Sequence, residues 1–208
     1  MNTLGAHELL ELHEVLSDAI HGLNTLKLYR PHARDRQLAA MVDAHMHALT
    51  MEYNEMVQMA HRMGGSQAVP MRRSASAAGM GAGFGGQRQA AFQPTYGLHQ
   101  PQPQTPASGA EDIDDVDVAI CLVNCHKQTA SLKMKATLEM AHPTLRSMLQ
   151  SAANASANMA YEAFQYANQR GMYQVPTMKD TTTETFLSAY GSAPSASQAN
   201  AQGQPYMM

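Results

Sequence analysis

Apolar residues recur every three or four positions along four stretches of the chain, and that spacing is the period of an α-helix. Leu9, Leu12, Leu16, Ala19, Leu23 and Leu26 form the first stripe, in a predicted helix capped by Asn2 or Thr3 and running to about Tyr29 or Arg30. Pro31 ends it, because proline lacks the N–H and clashes with the preceding turn. A second helix is predicted over residues 33–63, with Leu38, Met41, Ala48, Leu49, Met56, Met59 and Met63 on its stripe and two polar residues, His45 and Glu52, set into it. The third opens at Asp112, Asp114, Asp115 and Asp117, where a helix N-terminus favours negative charge, and presents Val116, Ile120 and Val123. A break at Ala141-His142-Pro143 leads into the fourth, which carries Leu145, Met148, Met159 and Phe164 and closes at Gln169-Arg170-Gly171.

The four helices fall into two helix–break–helix units, residues 1–64 and 111–173. A shift of 107 residues lays the second on the first and matches Leu38 with Leu145, Met41 with Met148, Glu55 with Glu162, Gln58 with Gln165, Ala60 with Ala167 and Gly64 with Gly171. This reads as an internal duplication. A lone αα-hairpin leaves its apolar stripe wet, so the two are expected to pack together. The predicted fold is therefore all-α, a ferritin-like four-helix bundle made of two αα-hairpins with one long crossover.

Between the hairpins, residues 65–110 are rich in Gly, Gln and Pro, with Phe84 amid Gly79, Gly81, Gly83, Gly85 and Gly86. Such a segment buries too little apolar surface to offset its ordering entropy and is predicted to be a disordered linker. Residues 174–208 are predicted to be a flexible low-complexity tail, in which Phe186, Leu187 and Tyr190 add at most one docked turn.

Composition narrows the function. A net charge of −3 gives no electrostatic footprint for nucleic acid, and no apolar run approaches the length of a membrane span. The N-terminal residues show no secretory signal. Two cysteines, Cys121 and Cys125, exclude a disulfide framework and fit synthesis in a reducing cytoplasm.

Ten histidines invite a metal hypothesis. A carboxylate-bridged di-metal site in such a bundle needs Glu-x-x-His motifs, and the chain has none. Asp43 with His47, and His7 with Glu11, have a spacing that could share an ion on one helix face. The counterparts of Asp43, His45, His47 and Glu52 in the second hairpin are Gln150, Ala152, Asn154 and Met159, which are poor ligands for hard metals. His45 and Glu52 are thus expected to form a hydrogen-bonded polar pair in or beside the core, with no metal, cofactor or catalytic residue assigned. Cys121 and Cys125 lie one turn apart on one helix face, a geometry that suits a mutual disulfide poorly. They are expected to be small buried thiols, or points of intermolecular cross-linking. Cys125 and His126 are sequence neighbours and point about 100° apart on a helix, which argues against a nucleophile–base pair.

Three runs of residues resemble a known family: Asp117-Val118-Ala119-Ile120-Cys121-Leu122-Val123-Asn124-Cys125-His126-Lys127, then Leu138-Glu139-Met140-Ala141-His142-Pro143-Thr144-Leu145-Arg146, then Tyr166-Ala167-Asn168-Gln169-Arg170-Gly171-Met172-Tyr173. They are similar to the spore coat protein F family of endospore-forming bacteria, with Met172 where an aromatic residue is common. The resemblance is strong over the second hairpin and weaker over residues 6–65. It implies a ferritin-like fold and a structural, non-enzymatic component of the spore coat, made in the mother-cell cytoplasm and assembling with other coat proteins or with itself. It implies no small-molecule substrate. Exposed Tyr96, Tyr190 and Tyr206, Lys179 and the many glutamines would suit a cross-linked coat. The alternative is a ferritin-like metal-binding or redox protein expressed in sporulation, and a third class is a helical adaptor unrelated to spores.

Overall fold

The computed structural model describes residues 4–63, 92–100 and 105–193, and every described regular element is helical. Four long helices, α1 (Ala6–Tyr29), α2 (Arg36–Arg62), α3 (Asp115–Glu139) and α4 (Pro143–Gln169), are followed by a short α5 (Asp180–Ser188). Much of the predicted linker and residues 194–208 of the predicted tail lie outside the described residues, as do the predicted caps Asn2 and Thr3 and Gly64, the counterpart of Gly171.

The helix boundaries follow from local chemistry. Asp35 caps α2 by accepting hydrogen bonds from Gln37 N and Leu38 N, each at 2.9 Å. At α3, Asp114 accepts from Val116 N at 2.8 Å, while Asp117 reaches back to accept from Asp114 N at 3.2 Å. Pro143 takes the first position of α4, where its missing N–H costs nothing. Past α4, Gly171 has φ +72°, the left-handed conformation that glycine adopts without strain.

The helices α2 and α4 begin and end at positions exactly 107 residues apart. The same register governs how the hairpins hold each other. Glu8 accepts from Ala141 N and His142 N, at 3.0 and 2.7 Å, in the turn of the second hairpin. Asp115 accepts from Arg34 N and Asp35 N, at 2.7 and 3.2 Å, in the turn of the first. All three pairs of residues are related by the 107-residue shift. Each hairpin thus fastens the turn of the other with an equivalent carboxylate. The backbone donors, led by Gly5 N, hold the Glu8 carboxyl below the usual carboxylate range.

Directions follow from the side-chain bonds. Asp18 with Thr129 and Glu11 with Lys135 run α1 antiparallel to α3, and Gln37 with Arg170 runs α2 antiparallel to α4. Pairs between α2 and α3 keep a constant sequence separation, so these two helices are parallel across the diagonal. The most extensive contact is α3 against α4, where buried Ala152, Ala153, Ala160, Ala163 and Ala167 permit close approach. Two apolar clusters result. One gathers Leu23, Leu26, Leu38, Leu49, Leu122 and Tyr166; the other gathers Leu12, Val15, Met56, Ala136, Leu145 and Leu149.

The stripe of α1 is buried as predicted at Leu12, Ala19, Leu23 and Leu26, and departs from it at the start, where Val15 is buried and Leu9 is 57% exposed. On α3 the buried face is Val118, Ala119, Leu122 and Val123, with Ile120 only half-buried. Within the predicted linker, residues 92–100 make specific contacts with α4, described below. Helix α5 buries no residue, so the one docked turn foreseen in the tail forms a helix that does not dock.

Candidate functional site

The two apolar clusters are separated by a polar layer drawn from three helices. His45 of α2 meets His126 of α3, Nδ1 to Nε2, at 3.0 Å, and its other nitrogen lies 3.2 Å from Glu162 Oε2 of α4. One turn or two further on, the Lys133 ammonium donates to the Glu52 carboxylate and to Ser156 Oγ, the latter at 2.9 Å. His126 and Lys133 are each 1% exposed, and Ser156 is fully buried. An ammonium so enclosed is tolerable only because a carboxylate and a hydroxyl meet it.

The layer shapes its own protonation. Burial, with His45 and Lys133 nearby, pushes the His126 imidazole down to about 3, so it is neutral at physiological pH. Burial raises the Glu52 carboxyl, against the opposing pull of Lys133. The hydrogen bond with His45 lowers Glu162, whose side chain is half-exposed. Glu162, His45 and His126 therefore form a hydrogen-bonded file from the surface to the interior.

His45 and Glu52 lie inside the bundle as foreseen, but they are not paired with each other: each reaches instead to a partner on α3. The polar groups are also not confined to the first hairpin, since α3 and α4 supply His126, Lys133, Ser156 and Glu162. Those four were missed, and the repeat holds a signal for three of them. Their counterparts 107 residues earlier are Ala19, Leu26 and Leu49 for His126, Lys133 and Ser156, all buried apolar positions.

The other candidate ligands are dispersed. Asp43 is held by Arg30 through two hydrogen bonds of 2.7 and 2.8 Å, and His47 is exposed. Glu11 pairs with Lys135 at 2.9 Å, away from exposed His7. Among the described residues no group of three or more His, Cys, Asp or Glu is placed to hold a metal ion.

Cys121 and Cys125 are free thiols with Sγ atoms 3.7 Å apart. Both are half-buried, between the buried thiols and the exposed cross-linking points that the sequence left open. The hydrogen bond from Cys121 brings the Cys125 thiol down to about 7, while Cys121 is pushed up by the same contact.

At the far end of α4, Asn168 secures the crossover. Its side chain accepts from Thr95 N at 2.8 Å and donates to Thr95 O and Tyr173 O at 3.0 and 2.9 Å. Gly97 N donates to Val175 O at 2.9 Å, and Phe92 packs edge-on against Tyr161 and Phe164. Beside this strap lies an open groove of ≈ 900 Å³ lined by Leu98, Asp117, Ile120, Met172 and Gln174 among others.

Comparison with known proteins places these elements. The chain is 28% identical over 189 residues to the spore coat protein F-like protein YhcQ of Bacillus subtilis (strain 168), an alignment covering 91% of this chain and 81% of that relative. No solved structure matches. The Coat F domain family model matches residues 114–176, from the capping Asp114 through the whole of α3 and α4 to the residue beyond Val175. The resemblance read from the sequence is borne out: the second hairpin matches the Coat F domain, and most of the chain is similar to a spore coat protein F-like protein.

Proposed function

We propose that this protein is a structural, non-enzymatic component of the endospore coat that assembles with other coat proteins, built as a ferritin-like four-helix bundle of two αα-hairpins. The observation that carries the reading is the coincidence of the Coat F domain match with the α3–α4 hairpin, whose polar interior is already engaged. The directions of the four long helices, with one crossover joining two parallel members, support the ferritin-like arrangement. Synthesis in the mother cell, followed by deposition on the spore, follows from the same reading.

A ferritin-like di-metal protein would need carboxylates and imidazoles free to converge on ions. Here a lysine ammonium occupies the acidic part of the layer, and the imidazoles bind each other and Glu162. These engagements favour the structural reading. Fractionation of sporulating cells carrying a tagged copy tests it. The protein is expected in the coat extract of mature spores, and a mature spore without it overturns the assignment. Stoichiometric iron or manganese in the purified protein would overturn the non-metal part.

A further inference from the structure

The two thiols of α3 are unexplained by the polar layer or by packing. They sit one helical turn apart with their sulfurs 3.7 Å from each other, half-exposed, on the side of α3 that faces α1. Tyr29 and Asp18 of α1 are their neighbours, and Asp18 is itself tied to Thr129 Oγ1 at 3.1 Å.

A covalent bond between the sulfurs fits this geometry badly. A disulfide needs S–S of about 2.05 Å and Cβ atoms about 3.5–4.5 Å apart. Positions i and i+4 on a helix hold their Cβ atoms about 5–6 Å apart. Closing the bond would therefore distort α3. A bridging ion removes the conflict. With metal–sulfur bonds of about 2.3 Å, sulfurs 3.7 Å apart subtend about 107° at the metal, close to the tetrahedral angle.

We propose that Cys121 and Cys125 form a two-thiolate chelate for a thiophilic divalent ion of the zinc class. Both thiols give up their protons on binding, so two protons leave for each ion bound and no electron is transferred. Since no third His, Cys, Asp or Glu converges there among the described residues, the remaining coordination positions are left to water or to ligands of another molecule. The site is independent of the coat reading, and it is compatible with a purely structural role.

The probe is cadmium, a zinc-class ion whose thiolate complexes absorb in the near ultraviolet and which methionine thioethers bind far more weakly. Reduced full-length protein is titrated with Cd²⁺ under anaerobic conditions, beside Cys121→Ser, Cys125→Ser and the double variant, and zinc is then used to displace it. The expected result is a saturable thiolate absorption at one ion per chain or per two chains. Each single variant should lose at least tenfold in affinity, the double variant should lose the band, and a large excess of zinc should lower the apparent cadmium affinity of the parent. Helical circular dichroism of the variants should stay unchanged, because both side chains are half-exposed and serine is small. A parent that shows no saturable band overturns the proposal. So does a single variant that binds as tightly as the parent.

Discussion

The two hairpins share a register and differ in their interiors. The ends are alike: Glu8 and Asp115 fasten each other's turns at equivalent positions, and α2 and α4 span equivalent residues. The middles are not. Where the first hairpin has Ala19, Leu26 and Leu49, the second has His126, Lys133 and Ser156; where the second has Ala152 and Met159, the first has His45 and Glu52. The two hairpins thus share their fastenings and divide the paired interior charges of Glu52 and Lys133 between them, carboxylate on one and ammonium on the other.

The largest test exchanges those charges for their counterparts. Lys133→Leu leaves the Glu52 carboxylate enclosed without its ammonium, and urea unfolding should show a loss of about 3 kcal/mol. Adding Glu52→Met, the residue its counterpart carries, should recover most of that loss. A double variant no more stable than the single would mean that the pair contributes more than it costs to enclose.

Acid should open the same layer from the imidazole side. His126 in the folded chain resists protonation down to about 3, whereas an unfolded histidine takes a proton near its ordinary value of about 6.5. Its folded value is lowered, so the neutral ring's stability is complete above that ordinary value and is lost as pH falls toward 3. The lowered Glu162 carboxyl adds to the loss in the carboxylate range, while the raised Glu52 carboxyl works in the opposite direction. At pH 4.5 the histidine contribution should cost about 2.5 kcal/mol relative to pH 7. His126→Leu should flatten that part of the profile, as measured by urea midpoints across pH.

The shared ends predict equal and independent effects. Glu8→Gln and Asp115→Asn should each cost about 1–2 kcal/mol, and the double variant should lose their sum within about 0.5 kcal/mol, because the sites lie at opposite ends of α3. Marked non-additivity would show that the ends communicate through the bundle. The smallest effect is expected where the strap meets α4. Asn168→Ala should cost about 1 kcal/mol globally and, more visibly, should speed proteolytic cleavage within residues 92–100.

Much of this arrangement was legible in the sequence. The 3.6-residue period located the four long helices, and the acidic start of α3, Pro143 and Gly171 marked real boundaries. The 107-residue shift survives in the structure at helix ends that identities alone did not reach. The start of the α1 stripe was less legible, because leucine occupies two adjacent faces there and only packing against the other helices chooses Val15 over Leu9. The polar layer was hardest. Lysine and serine on a helix are ordinarily solvated, so pattern alone does not mark Lys133 or Ser156 as interior. Only the partners supplied by other helices explain their burial. The strap at residues 92–100 was read as part of a linker, since its anchors, Asn168, Val175 and the Tyr161 and Phe164 rings, lie about 70 residues further along the chain.

The carboxylate that closes each turn has a further consequence when the hairpins are viewed as two subunits about a pseudo-twofold axis. Such ends are self-complementary, so by themselves they would let two first hairpins, or two second hairpins, close on one another. The asymmetric middle forbids both. Two first hairpins would set Glu52 against the Leu26 position, a carboxylate with no cation. Two second hairpins would set Lys133 against the Met159 position, an ammonium with no anion. Only the unlike pairing neutralises the interior, so the buried charges decide which half of the chain recognises which.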